Sequence, residues 1–264
     1  ERILFRRLAV FMGGFDLDAA HGVGADTEAE RFQLIDVLGL LVDKSLVVAE
    51  EINGAMRYRV LETVRQYGLE KLGESGEAGT VRTRHRDYYA AAAAALASGP
   101  QGPLVRWADV EMDNLRAAHA WSRETGQTGT ALQLAASLQQ FWLTRGRFRE
   151  GLAAFDAVFT DDLYESGDIA PAILVRAVAD AAVLAVWASV PACPQRAEQA
   201  LAVARKLDEP GLVARILMGC GMLNFYSADA YFDEAIELAR ASGDLLVHCQ
   251  LRAYQSFAFS VAGD

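Results

Sequence analysis

The feature that most constrains this chain is the confinement of its strand signals to one short stretch. Residues 45–50 and 56–60 alternate apolar and polar side chains on either side of Asn53 and Gly54. An Asn-Gly pair between two alternating runs is typical of a two-residue β-hairpin turn. The sequence on both sides of this stretch has helical periodicity instead. It therefore predicts a mainly α-helical chain whose strands all lie within about residues 45–62.

Three helical patterns precede the hairpin. The first ends at Gly13 and Gly14, where a left-handed cap is needed, and Asp16 is placed to cap the second. The third runs from about Glu30 to Leu41. Three helices followed by a hairpin predict a winged-helix-like module, which we assign to residues 1–78.

The remainder has the pattern of successive helical hairpins. Residues 79–130 are predicted to be connecting helices, and residues 131–264 are predicted to form an α-solenoid of tetratricopeptide-like repeats. Small and large side chains recur at offsets of 42 and 35 residues, counted from Gly151 to Cys193 and from Cys193 to Ala228. The candidate repeat-packing residues are Gly151, Phe155, Cys193, Ala197, Ala228 and Phe232.

Composition restricts the class of partner and the compartment. The chain has 264 residues, with 25 basic and 35 acidic side chains and a net charge of −10. An acidic chain without a segregated basic arm is expected to repel nucleic acid, so no direct nucleic-acid contact is predicted. The three cysteines form no Cys-x-x-Cys pair, and we find no signal peptide or uninterrupted apolar span. These features favour a cytoplasmic protein without membrane contact.

Motifs of catalysis are not found. There is no phosphate-binding loop, and His85 to Asp87 resembles a kinase catalytic loop only superficially because Ala92 replaces the metal-binding asparagine. We therefore predict no catalytic, cofactor or metal-binding residues in this chain. The densest basic cluster contains Arg82, Arg84 and Arg86. These arginines could contact a phosphate or an acidic partner, or they could form the polar face of one helix.

Four segments resemble a known family. They are similar to the region that follows the nucleotide-binding domain in actinobacterial LuxR-type transcriptional regulators of the STAND signalling ATPase class. The four segments are Leu4–Ala19, Leu41–Val47, Arg57–Gly68 and Glu111–Trp121. The resemblance covers most of residues 1–160, and beyond that only the repeat character is shared.

The resemblance implies that the chain is an excised part of a multidomain switch, which agrees with Glu1 at its first position. The parent would carry an ATPase core that binds ATP or ADP, a DNA-binding helix-turn-helix and, in some members, a cyclase domain, all outside this chain. The winged helix would bind the nucleotide-binding domain. One departure is that a Met-His-Asp-like motif of related switches corresponds here to Val60, Leu61 and Glu62. Leucine cannot donate a hydrogen bond to a phosphate.

Three hypotheses follow. The preferred one is a regulatory and sensor fragment whose helical array binds a protein or small-molecule inducer and couples it to the ATPase switch. The second is DNA binding through the third helix, where Arg31 and Gln33 provide few contacts for phosphate. The third is an enzyme with an unrecognised site. We also predict that the apolar helix at Leu245–Ala262 pairs with a second copy of the chain or stays poorly ordered.

Overall fold

The computed structural model describes residues 1–26, 28–52, 54–160, 167, 169–224 and 228–262, and it leaves the side chains of 28–32 and 261–262 outside that description. The chain divides into two compact units, Glu1–Gly126 and Gln127–Asp264.

The first unit begins as a winged helix. Its elements are α1 (Arg2–Leu8), β1 (Gly14–Phe15), α2 (Leu17–Gly24), α3 (Glu28–Asp43), β2 (Val47–Ile52), β3 (Ala55–Val60) and α4 (Glu62–Glu74). Asp16 caps α2 by accepting a hydrogen bond of 2.8 Å from the backbone N–H of Ala19, as the sequence predicts.

The sheet has three antiparallel strands in the order β1-β3-β2. Its hairpin pairs Val47 with Val60 and Ile52 with Ala55, which confirms the predicted two-residue connection. Gly54 has a φ of +80°, and Asn53 lies outside the described residues. The prediction that all strands lie within residues 45–62 is wrong, because β1 pairs with β3 at Gly14. A two-residue strand is too short to produce an alternating pattern.

Two long helices complete the first unit, α5 (Ala78–Ala97) and α6 (Gln101–Glu124). They pack against each other, and α5 also packs against α2. Two glycines let neighbouring elements of this unit approach closely. A Cβ atom at Gly22 in α2 would lie 2.7 Å from the ring of Tyr88 in α5, and one at Gly68 in α4 would lie 2.8 Å from the Cβ of Ala9, directly after α1. The helices α5 and α6 are therefore part of the body of this unit.

The second unit is entirely helical within the residues described. Its elements are α7 (Thr128–Ser137), α8 (Gln139–Arg145), α9 (Phe148–Asp156), α10 (Pro171–Ala188), α11 (Pro194–Leu207), α12 (Pro210–Leu223), α13 (Asp229–Ser242) and α14 (Leu245–Ala262). A left-handed residue ends several of them, Gly146 after α8 and Gly243 after α13.

The helices of the second unit stack in two layers. One layer contains α7 with α8, α10, α12 and α14, in which α7 contacts α10, α10 contacts α12 and α12 contacts α14. The other contains α9, α11 and α13, each of which packs on the helix before it and the helix after it. Each hairpin thus buries one face on its predecessor and one on its successor, which is the packing of an α-solenoid.

Within the described residues, α10 is the one helix with the length and hydropathy to cross a membrane, and two thirds of it is buried. It contacts α7, α9, α11 and α12. Because α10 also carries the buried side chain of Asp180, its apolar character is that of a core helix.

Candidate functional site

The exposed face of α3 is the first candidate surface, because a winged helix that binds DNA places this helix in the major groove. The described side chains of α3, residues 33–43, include no lysine or arginine. Ile35 is 56% exposed and Leu40 is 48% exposed. Asp36 and Asp43 are exposed on the same helix. Phosphate anchoring requires cations, and the described part of this face offers carboxylates instead, while the side chain of Arg31 lies outside the described residues.

The β-hairpin is the second surface that could contact nucleic acid. Both arginines of β3 are already paired with carboxylates. Arg59 donates to Glu50 at 2.9 Å in an exposed pair, whereas the Nη1 of Arg57 lies 2.5 Å from the Oε1 of Glu111 on α6. The hairpin cations are therefore neutralised within the unit.

The structure does not bring the predicted basic cluster together. Arg84 pairs with Asp26 at 2.5 Å, and Arg86 pairs with Asp87 at 2.7 Å. Arg82 instead lies over the ring of Trp121, at 5.2 Å from its centroid. Residues two apart on a helix project in different directions, which explains why Arg84 leaves the face of its neighbours.

A buried hydrogen-bond network at Asn114 joins the winged helix to α6. Asn114 is fully buried, and its Oδ1 accepts from the backbone N–H of Met12 at 2.8 Å. Its Nδ2 donates to the carbonyl of Gly14 at 2.9 Å and to the Oε2 of Glu111 at 2.8 Å. The ring Nε2 of His85 on α5 lies 3.1 Å from the same Oδ1. One side chain thus connects α6 to α5 and to the turn before β1.

Glu111 is the ionic centre of this network and is only 1% exposed. Besides its ion pair with Arg57, it accepts from the hydroxyl of Tyr89 at 2.9 Å. The sequence reasoning missed Glu111 and Asn114 as structural polar residues. Their spacing of three residues within the segment Glu111–Trp121 was the available signal, since side chains at i and i+3 share a helix face.

Burial changes the protonation of this network. Desolvation lowers the pKa of His85 to about 4, although its hydrogen bond to Asn114 acts in the opposite direction. Burial, the nearby charge of Glu111 and the hydrogen bond to that carboxylate all raise the pKa of Tyr89. His85 is therefore neutral at physiological pH, and Tyr89 keeps the proton that it donates to Glu111.

A second ionic cluster surrounds Arg7, which is 7% exposed. Its guanidinium donates to the carbonyl of Gly24 at 3.0 Å, to Asp26 at 2.9 Å and to Glu77 at 2.7 Å. The hydrogen bond from Arg7 is the main cause of the lowered pKa of Glu77, and that from Arg84 is the main cause of the lowered pKa of Asp26. The cluster links α1, the end of α2 and the start of α5.

Most candidate repeat-packing residues lie between helices of the second unit. A Cβ atom at Gly151 would lie 2.5 Å from the ring of Trp142, so α9 approaches α8 closely. Phe155 and Phe232 are fully buried, and Ala197 and Ala228 are each 2% exposed.

Cys193 is the exception among these residues, because it is exposed at the N-terminus of α11. The buried small residues of α11 are Ala197 and Ala200. Cys193 lies before the first residue of α11, so the first buried small residue of this helix is Ala197, about one turn later.

A buried carboxylate marks the layer of α8, α10 and α12. Asp180 is fully buried, and it accepts from the Nη1 of Arg215 at 3.0 Å. Arg176 approaches it at 3.6 Å, and Gln139 is 2% exposed beside Arg215. The Oδ2 of Asp180 and the Nε2 of Gln139 have no hydrogen-bond partner among the described residues. Buried polar groups are usually paired, so this cluster is a candidate ligand contact.

Signs of catalysis or metal binding are weak in the part of the chain that is described. No three histidine, cysteine, aspartate or glutamate side chains converge there as metal ligands. Burial raises the pKa of the Cys220 thiol to about 11, which disfavours the reactive thiolate. Leu61, which the resemblance matches to a histidine of related switches, is exposed before α4.

Comparison with known proteins agrees with this fold. Residues 1–73 match the family model of the winged helix-turn-helix domain. The whole chain is 47% identical, over 275 aligned positions, to a Mycobacterium tuberculosis protein named "Putative HTH-type transcriptional regulator" and to its Mycobacterium bovis counterpart. The chain spans 31% of the length of these relatives.

A shorter similarity covers part of the chain. An "Uncharacterized protein" of Mycobacterium tuberculosis is 54% identical over 89 residues, which are 33% of this chain and 23% of that protein. The longer relatives are thus named as transcriptional regulators, and the winged helix-turn-helix match covers the first 73 residues of this chain. Those names describe regulators and not enzymes.

Proposed function

We propose that this chain is the regulatory segment of a multidomain transcriptional regulator of the LuxR-type STAND ATPase class. In this proposal the winged helix binds the nucleotide-binding domain of the parent chain, and the helical array binds a protein or small-molecule inducer. The observation that carries the proposal is the exposed face of α3, which is apolar and acidic where a DNA-binding helix is basic.

The chemistry of that face favours a protein partner. Asp36, Leu40 and Asp43 are spaced by four and three residues, so they share one side of α3. Two carboxylates beside an exposed leucine would repel a phosphate backbone and would suit a protein surface with a basic rim. The paired state of Arg57 and Arg59 removes the hairpin cations that DNA binding would use.

The array supports the sensor part of the proposal. Its stacked hairpins offer an extended surface, as in repeat proteins that bind partners. Asp180 and Gln139 each keep a polar atom without a hydrogen bond among the described residues. A ligand that donates an N–H group to Asp180 and accepts from the amide of Gln139 would supply the missing hydrogen bond of each side chain.

In this proposal the nucleotide binds to another part of the parent protein. ATP or ADP would bind to the missing domain, and the chain itself would hold no cofactor. Because Leu61 replaces the histidine of related switches, sensing of the nucleotide by the parent would use another residue. A cytoplasmic location follows from this assignment.

Direct DNA binding by this winged helix is the second candidate. The match of residues 1–73 to the winged helix-turn-helix domain favours it. The two candidates use the same exposed face of α3 and differ in the charge that this face needs.

Fluorescence anisotropy of a labelled mixed-sequence duplex tests the choice. At about 50 mM salt, we expect the chain to bind with a Kd weaker than about 100 µM, which is the weak end of non-specific binding. The Asp36→Lys/Asp43→Lys variant should bind more tightly, with a clear salt dependence, because it converts the face of α3 to a basic one. Asp233→Lys/Glu237→Lys on α13 is the control with the same change of charge.

Micromolar binding by the unmodified chain, lost on raising the salt concentration, would favour the second candidate and contradict ours.

The class assignment has a separate test in the reading frame of the parent gene. We expect it to encode a phosphate-binding loop before this segment and a helix-turn-helix after it. A frame with neither would overturn the STAND assignment.

A further inference from the structure

A cavity of about 220 Å³ lies in the first unit, between α4 and the pair formed by α5 and α6. Ala117 and Ala120 line it from α6, and these short side chains leave room that longer ones would fill. Trp121 forms an aromatic wall, and its indole N–H is fixed by a hydrogen bond of 3.2 Å to the hydroxyl of Thr83. On the α6 side the cavity is thus lined by two short side chains and by an indole whose N–H is held in place.

Two cations from different helices meet at this cavity. Arg65 lines it from α4 and Arg82 lines it from α5. Arg65 is paired with Glu62, whose side chain is 63% exposed, and such a surface pair contributes little stability. Arg82 stacks on Trp121 and makes no ion pair among the residues described. Among the residues that line the cavity, Arg65 and Arg82 outnumber Glu124 by one formal charge, and an anionic group would take the place of the Glu62 carboxylate beside Arg65.

A buried histidine completes the lining. His85 is 3% exposed and lines the same cavity. The Oδ1 of Asn114 accepts from the backbone of Met12, while its Nδ2 donates to Gly14, so the orientation of this amide is determined. The Nε2 of His85 must therefore carry the proton that it donates to Oδ1. In the neutral ring this leaves Nδ1 as an acceptor.

We propose that this cavity binds a small aromatic carboxylate. The carboxylate is held by Arg65 and Arg82, the ring lies against Trp121 and the alanines of α6, and a hydroxyl on the ring donates to Nδ1 of His85. The site is additional to the inducer surface assigned to the array, and it does not depend on that assignment. A cavity of about 150 Å³ is known to hold benzene, so about 220 Å³ is enough for one substituted ring.

Binding at this site would act on the joint between the winged helix and α6. Met12 lines the cavity, and its backbone N–H is the donor to Asn114 in the network described above. A ligand that contacts Met12, His85 and Arg65 would hold α4, α5 and the turn before β1 in one arrangement. The ligand is therefore expected to raise the melting temperature of the first unit.

The test uses 3-hydroxybenzoate and benzoate with the full 264-residue chain, followed by ligand-observed NMR and by thermal unfolding. A ligand of about ten non-hydrogen atoms at ordinary efficiency is expected to bind with a Kd of about 1 mM or tighter. The hydroxyl should make 3-hydroxybenzoate the tighter of the two by about fivefold, as one added neutral hydrogen bond would. Inorganic phosphate, which lacks the ring, should not compete at equal concentration.

Two variants and one control locate the site. Arg82→Gln should weaken binding at least about tenfold, since it removes a charge-assisted hydrogen bond. Ala120→Phe should abolish binding by filling the cavity. Arg86→Gln, one turn further along α5 and paired with Asp87, should change the Kd by less than about twofold.

Three outcomes would overturn the proposal. They are equal effects of Arg82→Gln and Arg86→Gln, undiminished binding by the Ala120→Phe variant, and no saturable binding of either benzoate up to about 10 mM. Arg82 is exposed, so its replacement tests the site even where filling the cavity disturbs folding.

Discussion

The two units bury charge in different ways. The first is organised around side chains that hold several elements at once, because Glu111, Asn114 and Arg7 each contact groups from two or more helices or turns. The second is built from apolar contacts between successive helices, with one buried carboxylate, Asp180, among its described residues. The first unit therefore depends on distant residues meeting, and the second depends on a packing that repeats.

This difference affects tolerance to sequence change. An apolar contact can be refilled by another side chain of similar volume at modest cost. A buried ion pair cannot lose one partner without leaving the other uncompensated. We therefore expect substitution of a few buried polar residues to lower the stability of the first unit. In the array, we expect changes of side-chain volume to have the larger effect on stability.

The largest effect is expected from Glu111→Ala. This change leaves Arg57, Tyr89 and Asn114 without their shared acceptor, and it should lower the free energy of unfolding by about 3–5 kcal/mol. Urea unfolding followed by circular dichroism measures the effect. The control is Asp113→Asn, which breaks an exposed pair with Arg116 and should cost less than about 1 kcal/mol. Equal losses would contradict the view that this network organises the unit.

The second prediction concerns pH. The pKa of His85 is about 4 in the folded chain and 6.5 in the unfolded chain, so the unfolded state binds more protons between these values. The contribution of neutral His85 to the free energy of unfolding is fully present above about pH 6.5. It is lost as the pH falls toward 4, and the loss is as much as about 3 kcal/mol. Unfolding measured from pH 7.5 to 4.5 should show this loss, and His85→Gln should reduce it. A variant with the same pH dependence would show that other groups are responsible.

The third prediction tests packing in the array. In Gly151→Ala the new methyl group would meet the ring of Trp142, at a cost of about 1–3 kcal/mol that exceeds the gain in helix propensity of about 1 kcal/mol. The melting temperature should fall. Gly39→Ala in α3, where a Cβ atom meets nothing within 4 Å, should raise it slightly. A stabilising effect at both positions would show that α8 and α9 have room to separate.

The smallest effect is expected from an exposed ion pair of the array. Arg205 on α11 donates to Glu234 on α13, with side chains 55% and 44% exposed. Arg205→Gln should change the free energy of unfolding by less than about 1 kcal/mol. A larger loss in thermal unfolding would mean that the array, like the first unit, depends on specific ion pairs.

Local features of the fold were predictable from the sequence. The hairpin over Val47–Val60 follows from its alternation and its Asn-Gly turn, and the cap at Asp16 follows from its position before α2. The buried positions of Phe155 and Phe232 agree with their helical spacing. Such features depend on residues a few positions apart, so a periodic pattern records them.

Contacts between distant residues were not predictable. The backbone of Met12 and the side chain of Asn114 are 102 positions apart, and β1 is too short for a pattern of its own. The separation of the basic cluster also required the structure, because Arg84 turns toward Asp26 while Arg82 turns toward Trp121. A count of charges along the chain contains no information on which partner each one meets.

The amino-acid sequence by itself thus determined the succession of helices, the β-hairpin and the acidic balance of the chain. These depend on hydrophobic periodicity, turn residues and composition, all of which are local or additive. Only the tertiary structure decided which polar groups are buried and paired, including Glu111, His85 and Asp180. The reason is that the desolvation of a polar group is set by every element packed around it, and one segment alone cannot specify those neighbours.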